Sequence, residues 1–411
     1  MKTLPALTAL FPASRSAALA RLEAFAPNAG RHYARMRNTD PGPELRANVS
    51  MLSPYLRHRL IGEREVLATV LAQHSPAAAE KFIQEVCWRT YWKGWLQLRP
   101  GVWQAFLDER DHDRAVWATN PERSDALTAA ESGRTGIECF DDWAHELVAT
   151  GYLHNHARMW FASIWIFTLK LPWTLGADFF LRHLLDADPA SNTLSWRWVA
   201  GIQTPGKTYL ARADNIEEYT QGRYRPTGLA TRAAPIRDET PPAAGPLPAR
   251  AAPPALARAL LLLHGDDLTG FSEVPAACDV AGAVIAAAGH RSAPWPFGDK
   301  AATFVRSAAE DAAQHARAAL DCDVAVITAL EADAIIAQAR KLGADSILTP
   351  EAPVGPLDAG LEALAGELAA AGLALHRFRR AWDHNAWPHA TRGFFAFRKR
   401  IPDLLFAAGL E

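Results

Sequence analysis

The sequence predicts an α + α/β fold, in which an all-helical domain precedes a smaller α/β domain built on a parallel sheet. Residues 1–225 hold long segments with apolar residues at helical spacing and many tryptophans. Residues 226–256 are rich in Pro and Ala and have few large apolar residues, which predicts an extended linker. Residues 257–411 alternate apolar strands with Ala-rich helices, as is typical of a parallel sheet covered on both faces.

The composition limits the classes of protein to which the chain can belong. Its formal net charge is −2, whereas nucleic-acid binders are usually basic, so a DNA site would have to be a local patch of Lys and Arg. The four cysteines are far apart and form no CxxC motif, which argues against a metal site or a disulfide framework. The first residues form an apolar run interrupted by Pro5 and Pro12, which predicts neither a signal peptide nor a membrane span. We therefore expect a soluble, cytoplasmic protein and a monomer.

Residues 146–198 are the most informative stretch of the first domain. They are dense in tryptophan and almost free of helix breakers. Within them, Tyr152, Asn155, Arg158 and Met159 fall on neighbouring turns of one helix. An amide and a guanidinium therefore share a face with bulky apolar groups, which is not the pattern of a plain core face.

A second polar cluster follows, made of Asp186, Asp188 and Asn192. Its spacing places two carboxylates near a helix start and an amide about one turn further on. Burying such charges among aromatics costs several kcal/mol per ion unless they meet each other or a polar ligand. A large, flat cofactor with a polar edge would meet them.

Two motifs of this stretch, TGYLHNHARM and LLDADPASNTLSWRW, resemble the flavin-binding helical domain of the photolyase and cryptochrome family. The resemblance extends over residues 20–225 and implies FAD as the cofactor and no metal. It also implies that Arg158 and Asp186 form a charge pair whose balance follows the redox state of the flavin, and that Asp188 accepts a hydrogen bond from the ring imide or a ribityl hydroxyl.

The resemblance further implies a set of cofactor contacts along the chain. These are Tyr33, Ser50, Met51, Leu52, Ser53, Phe82, Glu85, Arg89, Tyr152, Asn155, Arg158, Asp186, Asp188 and Asn192. Ser50 and Ser53 precede a predicted helix, where free amides can bind a diphosphate, although serines at such a place are more often helix caps. The usual Thr and Arg of this family motif are replaced here by Val49 and Met51.

Residues 80–97 predict a helix with Glu85 and Arg89 on one face and Trp88 beside them. The simpler interpretation is a surface ion pair between Glu85 and Arg89. The flanking aromatics indicate instead that this face is at least half buried. The family resemblance implies that Glu85 hydrogen-bonds a DNA lesion, that Arg89 contacts the flavin, and that Trp88 packs against the lesion.

The resemblance assigns roles to further residues. Asn155 and Met159 would contact a flipped-out lesion, which Trp88 and Trp198 would hold by stacking.

Trp196 and Trp173 match the inner two members of the family's electron-transfer chain, and the outer tryptophan is missing because the matching position lies near Ala130. Asn192 matches the position that faces the reactive ring nitrogen, where photolyases tend to have Asn and plant cryptochromes have Asp.

Two classes of function are compatible with these residues. One is a photolyase, a carbon-carbon lyase that splits cyclobutane pyrimidine dimers by electron transfer from excited, reduced FAD. Glu85, Asn155, Met159 and Asn192 favour it. The other is a cryptochrome-like blue-light photoreceptor without repair activity. The near-neutral charge favours it, and so does the domain order, in which the α/β domain follows the helical domain instead of preceding it. A photolyase for six-four lesions is a third possibility, and it would use a histidine near Asn155 as proton donor.

The expected partner of the first function is UV-damaged DNA. Six basic side chains could bind its phosphates if they lie exposed at the rim of the cavity, and otherwise they form an ordinary solvated surface. They are Arg46, Arg57, Arg59, Arg64, Lys93 and Arg99.

The remaining segments have weaker signals. The strand and helix alternation after residue 256 includes no GxGxxG or Walker motif, and it resembles the antenna domain of photolyases in permuted order, without identifying an antenna chromophore. Residues 100–135 predict a polar, turn-rich crossing. Residues 382–405 are basic and aromatic, and we expect them to dock on the helical domain or on DNA.

Overall fold

The computed structural model describes residues 10–237, 239–249, 254–287 and 298–410. A helical part is followed by a five-stranded sheet with flanking helices, which confirms the α + α/β fold. Residues 1–9, to which the prediction about a signal peptide applies, and residues 238 and 250–253 of the predicted linker lie outside the described residues.

The helical part consists of short and medium helices around an aromatic core. In chain order they are α1 (Arg15–Phe25), α2 (Arg31–Met36), α3 (Ser53–Arg57), α4 (Glu63–Leu71), α5 (Glu80–Gln97), α6 (Gly101–Ala118), α7 (Pro121–Glu131), α8 (Glu138–Thr150), α9 (Asn155–Ser163), α10 (Trp173–His183), α11 (Pro189–Val199) and α12 (Ala213–Tyr219). Several begin where the sequence supplies a capping side chain. The Asp188 carboxylate, for example, accepts hydrogen bonds from the amides of Ala190 and Ser191 at the start of α11.

The predicted crossing over residues 100–135 is wrong, because α6 and α7 occupy most of it. One side of α6 is buried through Val102, Trp103 and Phe106. The other sides are charged, so the apolar contacts of this one side hold the helix in place. The side chain of Asn120 caps α7 by accepting the amide of Arg123.

The sheet consists of β1 (Leu256–His264), β2 (Cys278–Ala286), β3 (Val324–Ile327), β4 (Ser346–Pro350) and β5 (Ala374–Phe378). Its spatial order is β3-β2-β1-β4-β5, and all four pairings are parallel. The helices α13 (Asp299–Leu320), α14 (Ala332–Leu342) and α15 (Pro356–Ala370) connect the strands. The fully buried run of leucines in β1 is typical of a central strand covered on both faces.

The C-terminal residues return to the helical part as α16 (Ala381–Ala386), α17 (Phe394–Phe397) and α18 (Ile401–Ala407). The Trp382 indole N–H donates to the hydroxyl of Thr90 at 2.9 Å, and the Tyr91 hydroxyl donates to the Arg392 carbonyl at 2.9 Å. Thr90 and Tyr91 both lie on α5. The basic, aromatic C-terminal segment therefore docks on the helical domain, as one of the two predicted alternatives stated.

The carboxyl end of β1 also contacts the helical part, through a buried ionic network. Arg57 pairs with Asp266 at 2.5 Å, and Arg59 pairs with Asp267 at 3.2 Å. Arg380 makes two further contacts of 2.5 Å with the Asp267 carboxylate. These ion pairs hold the turn after β1 against the end of α3 and the segment that follows it.

The described residues between 226 and 255 form no helix or strand, and they lie against the helical part. The Arg99 guanidinium donates to the Pro242 carbonyl at 2.7 Å, and the Gly245 amide donates to the Leu98 carbonyl at 2.8 Å. The division into domains at residues 225 and 257 stays a prediction. Among the described residues, no helix is both long and apolar enough to cross a membrane.

Candidate functional site

A cavity of about 480 Å³ opens in the helical part. All of the predicted site residues except Trp173 line it. The lining set is Tyr33, Ser50, Met51, Leu52, Ser53, Phe82, Glu85, Trp88, Arg89, Tyr152, Asn155, Arg158, Met159, Asp186, Asp188, Asn192, Trp196 and Trp198. Residues that are up to 165 positions apart in the sequence therefore converge on one space.

Helix α5 supplies one wall of the cavity. Phe82, Glu85 and Arg89 lie three, four or seven positions apart, which places them on one face of the helix, and Trp88 lies beside them. The ring of Tyr33 packs edge-on against Phe82, with ring centroids 5.4 Å apart. The wall is thus apolar at one end and charged at the other.

The loop before α3 supplies a second wall. Met51 is buried and has a φ of 51°, a left-handed conformation that is uncommon for a non-glycine residue and persists only where packing fixes it. The alternative that serines cap α3 is wrong, because Leu52 is the N-cap residue and no side chain caps the helix. The Ser53 side chain instead helps to lower the pKa of Asp186.

An ion pair crosses the third wall. The Arg158 guanidinium donates two hydrogen bonds to Asp186, of 3.1 and 2.9 Å. Burial alone would raise the pKa of Asp186, but Arg158 and then Arg89 hold it below its usual range. Asp186 therefore stays ionised, and the pair adds a fixed positive group to the cavity wall.

Both carboxylate oxygens of Asp188 have partners within the protein, and the role that the family resemblance implies for it stays a prediction. One carboxylate oxygen caps α11, and the other lies 3.4 Å from Arg89 and 3.8 Å from the ammonium of Lys93. Lys93 is buried, and burial lowers its pKa. Asp188 lines the cavity and its pKa is held low by Lys93 and Arg89 against the effect of burial. It thus fixes the start of α11 and pairs with two cations.

Glu85 does not pair with Arg89. Its carboxylate forms an ion pair with Arg37, and Arg89 pairs with Asp188, so the surface-pair interpretation is wrong. Burial raises the pKa of Glu85 although Arg37 acts in the opposite direction. Arg37 also lines the cavity, and the sequence analysis missed it because no local spacing links residues 37 and 85.

Asn192 has a fixed orientation. Its side-chain N–H donates to the Ala177 carbonyl at 2.9 Å. The amide oxygen is consequently the group that can accept a hydrogen bond from a ligand in the cavity. An aspartate at this position would lose the donated bond.

The tryptophans predicted for electron transfer lie on neighbouring helices. Trp196 lines the cavity and packs edge-on against Phe180 and Trp165, at 5.1 and 6.2 Å between ring centroids. Trp173 is buried away from the cavity and donates its indole N–H to Glu109 at 3.0 Å. Of these two tryptophans Trp196 is the one that lines the cavity, and the electron-transfer role of both stays a prediction.

Trp88 and Trp198, predicted to hold a lesion, each have one ring face covered by another ring. Trp88 stacks on Phe394 of α17, with centroids 3.6 Å apart and an interplanar angle of 12°. Trp198 stacks on Tyr209 at 5.6 Å. Residues 201–225, all of which the structure describes, do not line the cavity.

The predicted exposed cluster of basic residues is wrong. Of its six members only Arg64 is exposed. Arg46 is buried between Asp40 and Glu146, Arg57 and Arg59 pair with carboxylates after β1, and Lys93 and Arg99 are also buried. Their partners are distant in sequence, so composition alone could not distinguish these side chains from a solvated surface.

Residues 82–224 match the family model described as the FAD binding domain of DNA photolyase. This part of the chain is similar to the FAD-binding domain of the photolyase and cryptochrome family. It is 30% identical over 207 residues to the Deoxyribodipyrimidine photo-lyase of Escherichia coli (strain K12), an alignment that covers 49% of this chain and 42% of that protein. The protein of the same name from Salmonella typhimurium is 29% identical over 206 residues, with the same shares covered.

Among solved structures, a bacterial class III photolyase from Agrobacterium tumefaciens is similar to this chain, with 27% identity and a TM-score of 0.42. The match covers 51% of this chain and 43% of that one. The chain thus spans less than half the length of the curated relatives it matches.

The residues present fit the FAD of this family. An isoalloxazine needs apolar walls, polar partners along one edge and a nearby cation, which Phe82, Asn192 and Arg158 provide. The Ser191 hydroxyl lies on the cavity wall and is buried without a hydrogen-bond partner among the described residues, so it is available to a ligand. FAD is therefore the cofactor of this photolyase-type flavoprotein.

Proposed function

We propose that this protein is a light-dependent DNA photolyase that splits cyclobutane pyrimidine dimers in UV-damaged DNA. The observation that supports it most is that Glu85, Trp88, Asn155 and Met159 line the same cavity as the residues that fit FAD. When bound, reduced FAD would supply, after absorbing light, the electron that opens the cyclobutane ring, and it would recover that electron once the ring has split.

Glu85 has the position and the pKa shift for stabilising the lesion. One of its carboxylate oxygens is bound by Arg37, and burial raises its pKa, which favours the protonated form more than in a free glutamate. A protonated carboxyl group can donate a hydrogen bond to a pyrimidine carbonyl oxygen. The neighbouring guanidinium stabilises negative charge that develops on that oxygen.

The remaining walls would hold the flipped-out dimer. Asn155 is exposed at the start of α9 and can hydrogen-bond a base edge, and Met159 lies one turn further on. Trp88 and Trp198 supply flat apolar surface. Extrusion of a damaged pair costs less than that of an intact pair because its pairing is already weakened.

The test is repair of a thymine-dimer oligonucleotide by the purified, chemically reduced protein under blue light. We expect Glu85→Ala to reduce the repair rate by about 100-fold, a loss typical of removing one group that stabilises developing charge, while its flavin content stays normal. Glu80→Gln, an exposed glutamate on the same helix, is the matched control and should repair normally. Equal repair by the wild type and Glu85→Ala would refute the role of Glu85.

One observation favours a second candidate, a blue-light photoreceptor of the cryptochrome type. Five of the six basic residues expected to contact DNA are buried in the structure. The same assay distinguishes the two functions, because a photoreceptor would bind and photoreduce FAD under light and leave the dimer intact.

The six-four alternative has less support. His154 is buried as the N-cap of α9, and His156 lies between the Asn38 carbonyl and Trp160. Neither histidine lines the cavity. Burial lowers the pKa of His154 to about 4, so it is neutral near pH 7 and a poor proton donor.

A further inference from the structure

Residues 391–400, here called the basic segment, are held rigidly against the helix that forms the cavity wall. Phe394 and Phe397 are buried, and Phe394 stacks on Trp88 at 3.6 Å. The backbone is fixed as well, because Tyr91 donates to the Arg392 carbonyl at 2.9 Å and Arg99 donates to the Thr391 carbonyl at 2.7 Å. The basic segment therefore has a fixed position directly behind the ring of Trp88.

The outer side of the basic segment is both aromatic and cationic. Phe395 is 76% exposed, and the Arg398 guanidinium lies 5.7 Å from the centre of its ring. Between residues 391 and 400 the sequence has four cations, Arg392, Arg398, Lys399 and Arg400, and no carboxylate. In a chain with a formal net charge of −2, this is a strong local concentration of positive charge.

Packing in the core explains why residues 394 and 397 are phenylalanines, but it does not explain the exposed Phe395. A single exposed apolar side chain is common on protein surfaces and needs no explanation by itself. Here it is combined with four cations next to the wall of a cavity that also holds Trp88 and Trp92. Aromatic rings among cations are the pattern with which proteins bind nucleic acid, since the cations bind phosphates and the rings stack on bases.

We infer that the basic segment is a DNA-contacting rim of the repair cavity, an inference that rests on the proposed function. Arg398 and Lys399 bind phosphates of the DNA backbone, and Phe395 stacks on a base that becomes exposed when the lesion leaves the duplex. The segment belongs to the C-terminal helices, so it supplies the positive surface that the buried arginines of the helical part do not.

The experiment measures binding of a fluorescent duplex with one thymine dimer to the full-length, flavin-loaded protein in the dark, at several salt concentrations. We expect Phe395→Ala to weaken binding by about 5-fold to 100-fold, the loss typical of one base stack, and to affect undamaged duplex less. Phe406→Ala is the matched control, because Phe406 is 70% exposed on α18, outside the basic segment.

The double substitution Arg398→Gln, Lys399→Gln tests the phosphate contacts. It should reduce the slope of log K against log salt by about 2, because each phosphate contact contributes about 0.9, and it should weaken damaged and undamaged duplex alike. The control is Arg340→Gln, Lys341→Gln, a neighbouring cation pair in the last turn of α14. Normal flavin content in each variant shows that the protein is folded.

Binding by both variants that equals binding by their controls would overturn the inference. So would unchanged DNA affinity together with a loss of binding to anionic lipid vesicles, since the segment would then serve a membrane. Failure of the proposed function has a different signature: the wild type would bind the damaged duplex through the basic segment and leave the dimer intact under light. A wild type that does not bind the duplex at all would refute both.

Discussion

The contact between the turn after β1 and the segment that follows α3 gives a prediction for Asp267. Its carboxylate is fully buried and receives two 2.5 Å hydrogen bonds from Arg380, and Arg59 lies at 3.2 Å. The substitution Asp267→Asn keeps the shape but removes the charge. The buried guanidinium groups of Arg380 and Arg59 then have only the other nearby carboxylates as ion-pair partners.

The expected loss follows from the burial of all three groups. Removing one partner of a buried ion pair costs about 3–5 kcal/mol, because the remaining charge stays desolvated. We expect the free energy of unfolding to fall by that amount, out of a total of about 5–15 kcal/mol for a typical protein. Because Arg59 follows α3, and the loop before α3 lines the cavity, we also expect a lower flavin content.

The pH dependence has a defined sign. Burial would raise the pKa of Asp267, but Arg380 and Arg59 hold it well below its usual range. Its stabilising contribution is therefore complete above the pKa of the unfolded chain, about 3.9, and is lost as the pH falls through the folded pKa. The stability difference between wild type and Asp267→Asn should stay constant from neutral pH to about pH 4 and decrease below it.

Urea unfolding, followed by far-UV circular dichroism and flavin fluorescence, measures this difference. The control is Asp323→Asn, because Asp323 forms an exposed pair with Lys341 at 3.2 Å and should contribute less than about 1 kcal/mol. An Asp267→Asn protein as stable as Asp323→Asn, with full flavin content, would refute the role of the buried network.

Two further predictions concern the cavity. Gly176→Ala would place a Cβ atom 2.3 Å from the ring of Trp196, so we expect the free energy of unfolding to fall by about 1–3 kcal/mol and the flavin content to decrease. The control is Gly366→Ala, in open space on α15, which should be neutral or slightly stabilising. Arg37→Gln removes a group that lowers the pKa of Glu85, so the decrease in repair rate at alkaline pH should move to higher pH. A repair rate that decreases at the same alkaline pH in the wild type and the variant would contradict this.

The parts of the site that the sequence predicted depend on local spacing. Phe82, Glu85, Trp88 and Arg89 share a face because a helix repeats every 3.6 residues, and the structure places all four on the cavity wall. The strands were predictable for a similar reason, since β1 is a continuous apolar run.

The parts that failed depend on contacts between distant residues. Arg46 and Arg57 resemble surface cations in the sequence, and they are buried only because Glu146 and Asp266 reach them in the folded chain. The stack of Phe394 on Trp88 joins residues about 300 positions apart, so no sequence pattern could show it.

The light-dependent loss of thymine dimers from an oligonucleotide, measured with the wild-type, reduced protein and a dark control, tests the central claim most directly. We expect dimers to be converted to intact thymines only in the light. Flavin-loaded protein that binds the duplex and leaves every dimer intact under light would contradict it.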